Sequence, residues 1–191
     1  MNTTPPNRQD LIHVVSVLVD NEFGVLARIA QLFAARGFNI ESLTVGPTHD
    51  ETVSRMTIVV KGSTPQVDQV RKQLAKLVEV IAVQDLSEGA GFVEREVMLI
   101  KVRCKDNNRT ELMTAANLFK AEAVDATPSS ITLQLVAESA RLDDFISFVQ
   151  PFGIMELCRS GAVALNRGFG GLQSSFIEKA NALTGGNKLA G

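Results

Sequence analysis

Residues 20–45 read DNEFGVLARIAQLFAARGFNIESLTV, and this stretch decides the fold. Val25, Leu26, Ile29, Leu32 and Phe33 fall at i, i+1, i+4, i+7 and i+8, the stripe of one helix face, and Gly37 stands where a left-handed cap would end the helix. Before it, residues 11–19, LIHVVSVLV, are short and rich in β-branched side chains and read as a strand. After it, FNIESLTVG and VSRMTIVVKG read as two strands around a polar turn at Thr48 to Glu51. Val67, Val70, Leu74 and Leu77 make a second helical stripe, and VIAVQDL closes the unit as a fourth strand. The order β-α-β-β-α-β is the ferredoxin-like arrangement, with both helices on one face of an antiparallel sheet.

The second half repeats this order. REVMLIKVRC is a strand, and Asn108 with Glu111 three residues later reads as a capping box for a helix carrying Leu112, Ala115, Ala116 and Phe119. VDAT and SITLQLVAE supply two strands around Pro128. Leu142, Phe145, Ile146 and Val149 form another stripe, and IMELCRSGAVAL ends the unit as one strand. The expectation is an α+β chain of two tandem βαββαβ domains, 10–86 and 93–168, joined near SEGAGF, with 169–191 as a flexible tail. In each unit the helices leave one sheet face bare. Val14, Ser16, Leu18, Thr57 and Val59 are too apolar as a set to face water, so sheets are expected to pair between subunits, making a homodimer the minimum.

Composition excludes several classes of function. At 191 residues, 45% hydrophobic and 21% charged, the chain is long enough and apolar enough to bury a core. Nineteen basic against 21 acidic residues leave a net charge of -2, with no cationic surplus for a phosphate backbone. Without Trp or Tyr it also lacks much of the equipment for stacking on bases, so nucleic acid is not an expected partner. MNTTPPNRQ carries no signal-peptide core, and no apolar run approaches the roughly 20 residues that span a bilayer. Cys104 and Cys158 show no pairing framework, which suits reduced thiols in a cytoplasm.

Catalytic chemistry is thin. His13 and His49 have no ligand-spaced companions, and no HxxxH, HExxH or CxxC occurs, so no metal site is expected. Asp143 and Asp144, adjacent on a helix, point about 100° apart and read as a solvated face. RGFGG at 167–171 lacks the Lys-Ser/Thr of a phosphate loop. The segment with recognition chemistry is the quoted one. A helix starting near Gly24 presents the N–H groups of Gly24, Val25 and Leu26 and the positive end of its dipole, where a carboxylate binds. Glycine removes the Cβ that would hold a ligand away, and Asn21 offers donor and acceptor atoms for a zwitterion. Asn39 offers a second amide at the far end of the helix, roughly 18 to 20 Å away, so the two meet on one small ligand only if two chains meet antiparallel. Taken alone, Asn-x-x-Gly and Gly-x-Asn are equally the ordinary start and stop signals of a helix.

SVLVDNEFGVLARIAQLFAARGFNIESLTVGPT followed by SRMTIVV resembles the ACT domain of the small regulatory subunits of acetolactate synthase (acetohydroxyacid synthase). The resemblance continues through VEREVMLIKV, VDATPSSITLQLV and RSGAVALNRG, over about residues 11–168. It implies a subunit without a catalytic site of its own. A separate large subunit would carry thiamine diphosphate, magnesium and FAD and condense pyruvate with pyruvate or 2-oxobutyrate. The small subunit would activate it and confer feedback inhibition by valine. It further implies an effector site between the ACT domains of two chains, which carries over to Asn21, Gly24, Val25 and Leu26 of one and Asn39 and Ile40 of the other. Phe23 departs from the small residue or proline usual at that place. Two other classes, an amino-acid sensor attached to DNA and a stand-alone enzyme on a ferredoxin-like fold, would need a helix-turn-helix and a catalytic cluster respectively.

Overall fold

The computed structural model describes residues 11–88, 91–105, 108–168 and 171–172. The chain divides into two compact units: one holds the described residues up to Val93 together with those from Ala164 on, the other Glu94–Val163. Residues 164–168, read from sequence as the end of the second domain, thus cluster with the first unit.

In the first unit β1 (Leu11–Asp20) runs antiparallel to β3 (Val53–Gly62), from Leu11 opposite Gly62 to Asp20 opposite Val53. With β2 (Ile40–Pro47) and β4 (Val80–Asp85) the sheet order is β2-β3-β1-β4, the ferredoxin-like order. Helices α1 (Val25–Ala35) and α2 (Thr64–Leu74) bury Val25, Ile29, Phe33, Val67, Val70 and Leu74 against Val15, Val17 and Val19 of β1. Phe33 is fully buried, a side chain whose removal from water favours folding by about 1.5–3 kcal/mol.

Local chemistry sets the helix ends. Ser63 starts α2, and Gln66 reaches back to accept from both the Ser63 backbone N–H (3.0 Å) and hydroxyl (2.7 Å). Gly37, at φ +72°, lets Gly37 N–H reach the Ala34 carbonyl and Phe38 N–H the Phe33 carbonyl, and the Phe33 and Phe38 rings meet edge-on at 6.2 Å. That is a Schellman stop with its apolar clasp, as the spacing predicts.

The other face of the sheet differs from expectation. Val14, Ser16, Leu18 and Thr57 are already buried within this chain, and Leu86, Phe92 and Ala164 pack with Val14 and Val59 as a second small core. The apolar residues that called for a second subunit are therefore already covered in part by this chain.

The second unit repeats the topology. Strands β5 (Phe92–Arg103), β6 (Glu122–Ala126), β7 (Ser130–Ala137) and β8 (Ile154–Arg159) take the order β6-β7-β5-β8, with α3 (Arg109–Phe119) and α4 (Ser139–Val149) over Met98, Ile100, Val102, Leu133 and Leu135. The closing segment is two strands, not one: Gly161, at φ +82°, breaks it, and β9 (Val163–Asn166) pairs with β5. The capping box at Asn108 does not form, since the Asn108 side chain accepts from Lys105 N–H at 2.7 Å instead. Asp143, far from being merely solvated, accepts from Arg159 at 2.6 Å, and the same guanidinium grips both oxygens of the buried Glu96 at 3.0 and 2.6 Å. Burial pushes the Glu96 carboxyl up, but Arg159, the Ser139 hydroxyl and the Gly161 N–H outweigh it and hold it below its ordinary value. Most of the tail read from sequence, including Phe176, Ala180 and Leu183, lies outside the described residues, and Leu172, which is described, is buried.

Candidate functional site

The loop from β1 into α1 is where the predicted recognition groups lie. Gly24 occupies the N-cap position at φ +86°, a conformation that costs an L side chain about 1–2 kcal/mol and glycine nothing. Its carbonyl accepts the first helical bond, from Arg28 N–H at 3.0 Å. No side chain caps this helix, and the first turn holds no acidic residue. The N–H groups of that turn and the dipole's positive end are left open to an external anion.

The neighbours are arranged around this opening. Asn21 is fixed on three sides: its N–H donates to the Thr52 carbonyl (2.7 Å), its Nδ2 to the Glu51 carbonyl (2.9 Å), and its Oδ1 accepts from Ser54 (3.0 Å). An amide nitrogen has two hydrogens and its oxygen two lone pairs, so one of each remains for a ligand, at a position the β3 turn holds in place. Val25 is 5% exposed and anchors the helix in the core, so it offers a ligand only its backbone N–H. Leu26 is 43% exposed and Phe23 wholly so, and both offer apolar surface at this end. Phe23, a departure from the family pattern in sequence, extends into solvent.

Asn39 and Ile40 lie past the other end of α1. Eleven residues at 1.5 Å each put them about 16 Å along the axis from Gly24, so one chain does not bring the six residues together. Asn39 is exposed and donates only to Glu41 at 3.3 Å, while the Ile40 side chain leans on the core of its own unit. The six residues thus form two separate groups, one at each end of the same helix. The opening is flanked by an ion pair of Arg28 with Glu79, whose carbonyl also receives Asp20 N–H at 2.9 Å.

A second polar pair escaped the sequence reading. His13 on β1 and Asp85 at the end of β4 are both buried and meet at 2.6 Å, with Asp85 also accepting from Ser87 N–H at 2.9 Å. His13 Nε2 has no hydrogen-bond partner among the described residues. The 72-residue separation hides the pair in sequence; only the β1–β4 register reveals it. Among the described residues no group of three or more His, Cys, Asp or Glu side chains could hold a metal ion, and no helix is long and apolar enough to cross a membrane. Both cysteines are free, Cys104 buried and Cys158 exposed.

The family model described as the AHAS small subunit-like ACT domain matches residues 15–82, and that of the small subunit of acetolactate synthase matches residues 95–168. The chain is 46% identical over 156 residues to the acetolactate synthase isozyme 3 small subunit of Escherichia coli K12, covering 81% of this chain and 95% of that one. It is equally 46% identical to a probable acetolactate synthase small subunit of Archaeoglobus fulgidus, covering 82% and 97%. The crystal structure of the small subunit from Thermotoga maritima superposes with a TM-score of 0.77 at 36% identity, covering 84% of this chain and 99% of that one.

Proposed function

Because the chain belongs to the family of acetolactate synthase small subunits, we propose that it regulates a separate catalytic subunit, activating it and making it sensitive to valine. The thiamine diphosphate, magnesium and FAD of the reaction reside in that catalytic partner. Valine binds where two chains meet antiparallel along α1. Its carboxylate sits on the first-turn N–H groups from Gly24, Val25 and Leu26, and its ammonium donates to the free lone pair of Asn21 Oδ1 and to the amide oxygen of Asn39 of the second chain. Its isopropyl group lies against Leu26 and Ile40.

The observation that carries this reading is the open N-terminus of α1: a glycine held at φ +86°, no side-chain cap, no first-turn carboxylate, and Asn21 clamped beside it. A helix start serving structure alone is better made by Ser, Asp or Asn, whose side chains satisfy those N–H groups. The same helix leaves Asn39 too distant to join the ligand within one chain, which is what a site shared by two chains requires.

The test is reconstitution. The purified chain alone should form no acetolactate from pyruvate; added to its catalytic subunit it should raise the rate, and valine should then lower it. Turnover by the chain alone, or a mixture that ignores both the chain and valine, would overturn the reading.

A further inference from the structure

The second unit carries a cleft of about 390 Å³ that the regulatory reading leaves without a role. It opens between the end of α3, the end of β7 and the first turn of α4, and its volume lies within the range of small-molecule sites, about 300–1,000 Å³. Three cations line it, Arg95, Lys120 and Arg141, against one carboxylate, Glu138. In a chain whose net charge is -2, this is a local surplus of two positive charges.

Two of the three cations stand where backbone physics disfavours them. Lys120, at φ +60°, is the one non-glycine residue with positive φ among the described residues. It follows α3 at a left-handed cap, where glycine or asparagine would relieve the strain. The turn itself is satisfied, since Lys120 N–H donates to the Asn117 carbonyl (3.1 Å) and Ala121 N–H to the Ala116 carbonyl (2.8 Å), but the Lys120 ammonium has no hydrogen bond or ion pair among the described residues. Arg141 lies in the first turn of α4, at the positive end of the helix dipole, where a cation is unfavourable. It is nonetheless held in place: its guanidinium carbon lies 5.4 Å from the centre of the Phe119 ring, and Nη2 donates to the Phe119 carbonyl at 3.5 Å. Arg95 is steadied by the Glu94 carbonyl at 2.6 Å and touches Glu138 only at 3.4 Å. Three cations converge on this one cavity, one of them without a partner and on a backbone that favours glycine, another oriented by an aromatic ring.

From this convergence we infer that the cleft binds a small dianion, a phosphate or a dicarboxylate, between Arg95, Lys120 and Arg141. Two negative charges neutralise the surplus, and two guanidinium forks with one point charge suit tetrahedral or paired-carboxylate oxygens. The site is separate from the valine half-sites, which lie in the other unit, and does not depend on them.

Lys120→Gly separates this proposal from a structural role, because the two make opposite demands. Titration of the full chain with inorganic phosphate and with succinate, and with acetate as the monoanion control, gives the binding readout; thermal denaturation gives the stability readout. Lys120→Gly should melt higher by about 2 °C or more while losing at least about fivefold in affinity for the dianion. Glu138→Gln should bind the dianion about threefold more tightly or better, since it removes the cleft's one opposing charge. Which of the two probes binds more tightly, phosphate or succinate, identifies the head group. Saturable binding of a dianion but not of acetate, lost in Lys120→Gly and gained in Glu138→Gln, supports the site. Binding of neither probe, or binding unchanged in both variants, overturns it.

Discussion

Replacing Gly24 with aspartate sets two effects of one carboxylate against each other. At the N-terminus of α1 the new charge meets the helix dipole favourably, by about 0.3–1 kcal/mol. Against this, φ at Gly24 is +86°, and an L side chain there costs about 1–2 kcal/mol, toward the lower end for aspartate, which tolerates the left-handed region better than most. A Cβ at Gly24 meets nothing within 4 Å, so no steric term adds to the backbone term. The two nearly cancel, and the melting temperature should change by no more than about 4 °C for a chain of this size. Ligand binding has no such compensation. On the proposed function the side chain would cap the N–H groups assigned to the effector's carboxylate and would repel that carboxylate as well. Losing one charge-assisted hydrogen bond costs about 1.5–3 kcal/mol, or about 10- to 150-fold in affinity. Gly24→Ala is the control, since it carries the backbone strain and a Cβ without a charge or an acceptor. Valine inhibition of the reconstituted enzyme and calorimetry on the small subunit should show Gly24→Asp far weaker than Gly24→Ala, with both variants still raising catalytic activity. If the aspartate variant responds to valine as the alanine variant and the wild-type chain do, no carboxylate sits on this helix end.

Asn39→Ala should fold as the wild type does, because the amide holds only the exposed Glu41 at 3.3 Å, yet it should weaken the valine response about tenfold. Mixing Gly24→Asp chains with Asn39→Ala chains should restore part of the response, since a mixed dimer regains one site with both halves intact; a mixture no better than its components argues against a shared site. Valine should bind about tenfold more tightly than alanine, having two more carbons worth about 0.8 kcal/mol each when buried, and calorimetry giving equal affinities would remove Leu26 and Ile40 from the pocket. In the second unit, Glu96→Gln should cost about 1.5–3 kcal/mol at neutral pH, read by denaturant unfolding, because it breaks the two-pronged contact with Arg159. The Glu96 carboxyl is held below its ordinary value in the fold, so its contribution is present above the ordinary glutamate range near pH 4.3 and is lost as pH falls through the folded value. The wild type should therefore lose this increment of stability on acidification, and the glutamine variant should not.

The fold was legible wherever one period repeated. The α1 stripe, the Gly37 stop and the doubled β-α-β-β-α-β order follow from apolar spacing and glycine placement, which local sterics read without help from the rest of the chain. What the periods could not show was contact between distant segments. The second face of the first sheet looked bare because Ala164, which covers Val14 with Leu86 and Phe92, stands 150 residues along the chain from it. His13 and Asp85 looked solitary for the same reason, and Asn108 matched a capping signal but found a nearer partner in Lys105. Local signals compete, and hydrogen-bond geometry settles the competition only when the whole loop is built.

The partial covering of that sheet face weakens the sequence-level reason for two chains to pair through it. If apolar pairing of that face does not drive association, the driving surface must come from elsewhere on the first unit. Around the start of α1, Phe23 is fully exposed, Leu26 half so, and Val78, next to the Glu79 that anchors Asp20, is nearly as open as Phe23. Burying side chains of this size against a second chain would release about 1.5–3 kcal/mol for each one fully covered. Such a contact would be made at the place where the ligand's own groups are needed to satisfy the open helix end. Association and valine binding would then be coupled through one surface: an effector that completes the polar contacts tightens the apolar ones, and chains already paired present both halves of the site. The coupling is reciprocal by thermodynamic necessity, so valine should lower the dissociation constant of the dimer by the same factor by which dimerisation raises the affinity for valine.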